Sequence, residues 1–182
     1  MPRTLWEILE TDTALDTPHF KVTRERVRLP SGKIDDVYLQ KAAHWVAVLA
    51  LTADGHILTL NEYRHGTRTY MRHIPAGHID EGEDPLQAAQ RELMEEAGHE
   101  ADNWEHVGDF HANASRTATT ATLFVARNAR PAGQQRLTDF EAIEVVPMTP
   151  AILLQHLASS EGNDLPHTAL MYIGLHKLGL IK

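Results

Sequence analysis

Cysteine is absent from the 182 residues. That excludes a thiol nucleophile, a Cys-ligated zinc and an iron–sulfur cluster, and leaves the chain without a disulfide staple. Long apolar runs are absent too. The longest, Trp45 to Leu51, has seven residues, whereas a membrane span needs about 20. The first residues, MPRTLWEILETD, carry charges inside their apolar stretch and lack the form of a signal peptide. There is no basic stripe, and the formal net charge is −8, which argues against a duplex nucleic-acid binder. An acidic chain can still take a phosphorylated substrate when divalent cations bridge the two. What remains is ordinary for a globular protein: 42% hydrophobic and 23% charged residues, in a length that suits one main domain and can bury a sizeable core. The expectation is a soluble, cytoplasmic protein.

Residues 1–41 read as a short helix or strand followed by strands near 19–29 and 34–41, with Pro30-Ser31-Gly32-Lys33 as the turn between the last two. Residues 45–52 read as a buried strand, Asp54-Gly55 as a hairpin turn, and 56–64 and 70–75 as further strands. Asp84-Pro85 opens a helix: Asp is a good N-cap, Pro suits the first helical position and Gln87 stands where a capping box needs it. Gly98 closes the helix. Strands are expected at 104–111, 121–127 and 141–147, a polar loop at 128–138, and helices near 149–158 and 166–178. This mixed order predicts an α+β fold with an αβα layered sheet, not a regular doubly wound sheet.

The informative segment is GHIDEGEDPLQAAQRELMEEAGH, residues 77–99. On its helix Glu92, Glu95 and Glu96 share one face, while Leu86, Ala89, Leu93 and Ala97 form the neighbouring core side. Three crowded carboxylates repel, and the helix has no Lys. Its one cation, Arg91, is placed to pair with Glu83 or a helix Glu. A hard divalent cation is the natural counterion for the rest. The plain alternative is a solvated acidic face.

The spacing resembles the Nudix box, G-x5-E-x7-R-E-U-x-E-E-x-G-U with U apolar. Gly77, Glu83, Arg91, Glu92, Leu93, Glu95, Glu96 and Gly98 fill every invariant position and the first U; the last U is His99. The flanks extend the resemblance across residues 45–180. It implies Mg²⁺ (or Mn²⁺) held by Glu92, Glu95, Glu96 and the carbonyl of Ala76, with Glu83 and Arg91 tying the loop–helix–loop together and Gly77, Gly82 and Gly98 shaping its turns.

Asn61-Glu62-Tyr63-Arg64-His65 and Ile74-Pro75-Ala76-Gly77 resemble ADP-ribose pyrophosphatases and related nucleoside-diphosphate-sugar hydrolases. That resemblance gives Arg64 the substrate's phosphates; a surface strand arginine is the alternative. His73 stands where the subgroup often has Glu, and no role is carried to it. His111-Ala112-Asn113-Ala114-Ser115 replaces both prolines of an H-P-N-P-A stretch, which leaves the distal sugar open. Arg116, in the same loop, reads either as a phosphate contact or as a solvated side chain. For the general base the segment Thr138 to Val145 offers Glu141 first, Glu144 second and Asp139 third, with Glu95 of the box as a further candidate. Residues 1–41 resemble the N-terminal β extension of the subgroup, which implies a homodimer. There Trp6 either stacks on the base or simply fills an interface, and residues 42–182 form the Nudix domain. The twelve histidines are scattered without zinc-ligand spacing. Rival readings are a Nudix hydrolase of another nucleotide (GDP-mannose or a nucleoside triphosphate), a non-catalytic Nudix ligand sensor, and an acidic interaction domain.

Overall fold

The computed structural model describes residues 5–159 and 161–181. The chain divides into two compact units: the chain through Ala43 together with His111–Thr120, and His44–Phe110 together with Ala121 onward.

In the first unit β1 (Glu7–Asp16), β2 (Lys21–Arg28) and β3 (Ile34–Lys41) form an antiparallel sheet in that order. The element left open between helix and strand is thus a strand. Opposite charges meet across the β1–β2 ladder: Arg28 with Glu7 at 2.8 Å, Lys21 with Asp16 at 3.0 Å, and Arg24 with Asp12. The β2–β3 turn closes as expected, with the Leu29 N–H donating to the Lys33 carbonyl at 2.8 Å and Gly32 at φ +86°. The 111–120 loop joins this unit through the Gln40 N–H, which donates to the Arg116 carbonyl at 2.7 Å. Among the described residues of the unit, Val27 is the one buried apolar side chain.

The second unit is an αβα sandwich. Its central strands are β4 (Trp45–Thr52), β5 (Ile57–Arg64) and β10 (Ala121–Pro131), with β11 (Ile143–Met148) beyond β5. β4 and β10 run parallel and the other pairs are antiparallel. β6 (Thr69–His73) also pairs β5, β7 (Ala76–His78) pairs β4, and β8 (His99–Glu100) and β9 (Asn103–Phe110) pair β10. Alternation sends Val46, Val48, Ala50, Leu58, Leu60, Phe124 and Ala126 to the face covered by α1 (Pro85–Ala97). Ala47, Leu49, Leu123 and Val125 go to the face covered by α2 (Pro150–Ala158) and α3 (Leu165–Lys177). Both faces are covered, so β4 is apolar almost throughout. α3 lies so close that a side chain at Gly174 would meet Leu49.

α1 begins and ends on its local signals. The Asp84 carboxylate accepts from the N–H groups of Leu86 (2.9 Å) and Gln87 (3.4 Å), and Gly98 takes the left-handed conformation, φ 65°. Two boundaries differ from the sequence expectation. β10 runs past Arg127 through Pro131, because Arg130 and Pro131 pair with Glu100 and His99. β11 starts at Ile143, so Glu141 lies in the loop before the strand and not at its start. Among the described residues no helix is long and apolar enough to cross a membrane.

Candidate active site

The second half of α1 docks onto β7, and the site grows from that contact. The Glu96 Oε2 accepts the Ala76 N–H at 2.8 Å. One turn earlier, the Glu92 carboxylate lies against Gly77, where a Cβ would fall well inside van der Waals contact. A side chain at Gly77 would push the Glu92 carboxylate, the free end of a flexible side chain, out of this position. Two carboxylates one helical turn apart thus meet two successive residues of one strand.

Arg91 braces this arrangement. Its Nε and Nη2 donate to the two Glu83 oxygens at 3.0 Å each, and Nη2 also donates to the His78 carbonyl at 2.8 Å. Nη1 reaches Glu92 at 2.7 Å and Glu95 at 3.2 Å. Glu83 accepts the Asp80 N–H at 3.0 Å as well, and its hydrogen bonds from Arg91 hold its pKa below the usual carboxylate value. Arg91 thus links Glu83 of the loop with Glu92 and Glu95 of the helix.

The carboxylates toward β7 are in the opposite electrostatic state. Glu92 and Glu96 are buried. Burial pushes Glu92 up against the pull of Arg91, and repulsion from Glu95 and Glu141 adds to it. Burial pushes Glu96 up to about 8, with Glu92, Glu62 and Glu141 adding repulsion. Among the described residues no three Asp, Glu or His side chains already stand together as a cation cage; one oxygen each of Glu92 and Glu95 accepts from Arg91, and one of Glu96 accepts from the Ala76 N–H. The donor set is nonetheless that of a hard divalent ion, oxygen-only and short of positive charge. A bound ion would relieve the repulsion that raises Glu92 and Glu96.

Glu141 and Glu144 part company. Glu141 is close enough to Glu92 and Glu96 to repel both, and its Oε2 accepts the Thr138 N–H at 2.7 Å. Ile143 and Val145 pack on the α1 side, while exposed Glu144 is an electrostatic neighbour of Arg72. Asp139 is exposed. Arg64 ends β5 and lines a recess of about 290 Å³ with Trp45, Ala76, Gly77, His78 and His167. Trp6 and Arg116, far apart in sequence, line one recess of the first unit, about 580 Å³, with Tyr38. His99 has its Nδ1 2.6 Å from the Ala97 carbonyl.

Three residues beside the Arg64 recess went unassigned in the sequence. Glu62, 4% exposed, has Oε2 2.9 Å from Arg64 Nη2 and 2.8 Å from His73 Nε2. His73, 1% exposed, stacks edge-on against His167 with ring centroids 5.1 Å apart. Burial holds His167 well below the usual histidine value, helped by the positive field of its neighbours, so it is neutral. The signal for Glu62 was its place after Leu58 and Leu60 on an inward-facing row.

Comparison with known proteins gives the class, a hydrolase. Residues 42–165 match the NUDIX domain and residues 6–38 the nucleoside diphosphate sugar hydrolase N-terminal domain. The chain belongs to the Nudix family, as an enzyme of the nucleoside-diphosphate-sugar hydrolase type. It is 31% identical over 141 residues to the ADP-ribose pyrophosphatase of Bacillus subtilis, covering 77% of this chain and 76% of that one. It is 28% identical over 138 residues to the methanol dehydrogenase activator of Bacillus methanolicus, covering 75% of each. A crystal structure of an ADP compounds hydrolase shares the fold at a TM-score of 0.84 and 22% identity, over 98% of both chains.

Proposed function

We propose that the enzyme hydrolyses the diphosphate of a nucleoside-diphosphate sugar, with ADP-ribose as the first substrate to try. The observation that carries this reading is the docking of Glu92 and Glu96 onto Gly77 and Ala76, an all-oxygen group of buried carboxylates whose charged forms burial disfavours. Glu92, Glu95, Glu96 and the Ala76 carbonyl would hold divalent ions, Mg²⁺ first and Mn²⁺ as the substitute. When bound, such ions neutralise the diphosphate, polarise the attacked phosphorus and acidify a water. Arg64 holds the phosphates, since a guanidinium fork matches their oxygens. Glu141 takes the proton of the attacking water. One Glu141 oxygen accepts the Thr138 N–H, and a carboxylate keeps further acceptor sites for that water. Water adds to one phosphorus, the P–O–P bridge breaks, and ADP-ribose gives AMP and ribose 5-phosphate. Trp6, which shares a recess of the first unit with Tyr38 and Arg116, is the candidate to stack on a base across a dimer.

The similarity to an ADP-ribose pyrophosphatase supports that substrate, while Ala112 and Ala114 in place of prolines favour a different sugar. A hydrolysis screen with Mg²⁺ over ADP-ribose, GDP-mannose, other nucleotide sugars and nucleoside triphosphates, with products resolved by mass, decides between them. No turnover of any diphosphate would reject the reading.

The first unit supports a homodimer. Its described residues bury little, and Trp6 (55%), Ile8 (59%), Phe20 (45%) and Tyr38 (48%) are exposed. A three-stranded sheet with apolar side chains in water gains by covering them with a second copy. Light scattering at micromolar concentration should give twice the 20.4 kDa chain mass; a fully active monomer would refute it.

A further inference from the structure

The inward row of β5 is Leu58, Leu60, Glu62, with Arg64 next at the strand end. The two leucines are core, so the same pattern calls for an apolar side chain at 62. A buried carboxylate there is costly and adds repulsion to Glu96. For stability alone, an apolar residue would serve better. Something other than the core therefore accounts for Glu62.

Its contacts show what. Oε2 stands between Arg64 Nη2 at 2.9 Å, an ion pair, and His73 Nε2 at 2.8 Å, and neither contact has the alignment of a hydrogen bond. His73 cannot swing away. Its Nδ1 lies 3.0 Å from the Ile74 carbonyl and its ring is edge-on to His167, which in turn lies against Trp45 at 5.4 Å. The wall behind the recess is thus continuous from Trp45 through His167 and His73 to Glu62. Arg64 itself is 43% exposed in its side chain and would otherwise sample many rotamers.

We propose that Glu62, clamped by His73, is a positioning residue that holds the Arg64 guanidinium at the recess beside Ala76 and Gly77. Arg64 is thereby a fixed fork for an incoming diphosphate, so less freedom is lost on binding. This rests on the assignment of Arg64 to the substrate's phosphates.

A double-mutant cycle tests it, with the best substrate of the screen and saturating Mg²⁺. Steady-state kinetics are paired with calorimetric binding of inorganic pyrophosphate, and Tm is the check on folding. Glu62→Gln should raise KM and weaken pyrophosphate binding about 10-fold, the scale of coupling between contacting groups, with kcat within about twofold. Arg64→Ala should raise KM further. Combining them should add less than about twofold to Arg64→Ala, because the effect of Glu62 passes through Arg64. If Arg64→Ala raises KM and Glu62→Gln does not, the positioning role is overturned and the phosphate role of Arg64 stands. If Arg64→Ala leaves KM unchanged, both are overturned. A Glu62→Gln effect that persists in full without Arg64, or that appears as a changed Mg²⁺ requirement, also overturns the proposal. Should Glu62→Gln fail to fold, His73→Gln in the same cycle decides by the same outcomes.

Discussion

Glu96→Gln is expected to lower kcat by about 10²-fold or more at saturating Mg²⁺, the scale that cation catalysis contributes. Glutamine keeps an oxygen for the Ala76 N–H, so the docking of α1 on β7 should survive. What it loses is charge. Stability should respond to pH in a way that identifies the side chain. Glu96 ordinarily titrates near 4.5, and burial lifts it to about 8 in the folded, cation-free protein. The folded chain therefore keeps a proton that the unfolded chain has released. The stability linked to this group is fully present below pH 4.5 and is lost as pH rises through about 8. Tm of the cation-free wild type should fall across that window, and Glu96→Gln, which stays neutral, should flatten the fall. Mg²⁺ at the upper end should restore more Tm to the wild type than to the variant. Near-wild-type turnover in the variant would remove Glu96 from the cation site.

Glu141→Gln should lower kcat by about 10²–10⁴-fold, the usual worth of a general base, while KM changes little. Glu141 sits on a loop near Glu92 and Glu96 and repels both. Glu144 points off the opposite face of β11 towards Arg72. Glu144→Gln is thus a matched control one strand turn away and should cost little. The acidic limb of the pH–rate profile should weaken in Glu141→Gln and persist in Glu144→Gln. If the control were the crippled enzyme, the base would lie on the other face; if neither mattered, Glu95 would be next. The hydrogen bond from the Thr138 N–H to Glu141 makes a further claim: shortening the 132–140 segment should lower kcat as well, because this loop sets where the Glu141 carboxylate stands.

Much of the second unit was legible before any coordinates. The Asp84-Pro85 start and Gly98 end of α1, the Gly55 turn and the alternation of β4 all depend on neighbours within about four positions, where sequence and conformation are directly coupled. The same holds for the sharing of one helix face by Glu92 and Glu96, whereas the pairing of Arg91 with Glu83, eight residues away, spans loop and helix. The late strand was less legible. β10 continues through Pro131 because β8 pairs with it, and no local pattern announces a two-residue partner.

Other features depended on partners distant in the chain. The close approach of the Glu92 carboxylate to Gly77 is decided this way, and so is the raised pKa of Glu96, which follows from burial and then from repulsion by Glu92, Glu62 and Glu141, the last two from separate strands and loops. The 111–120 loop groups with the N-terminal strands through a hydrogen bond from Gln40, and Trp6 shares a recess with Arg116. Glu62 read as one charge in a strand until His73 and His167, more than one hundred residues apart in the case of Glu62 and His167, closed around it. The sequence determined which residues carry helix, turn and carboxylate, since those follow from short-range periodicity and steric limits on the backbone. Only the tertiary structure decided which carboxylates are desolvated and which arginine is held still, because desolvation and Coulomb forces depend on distance in space and not on separation along the chain.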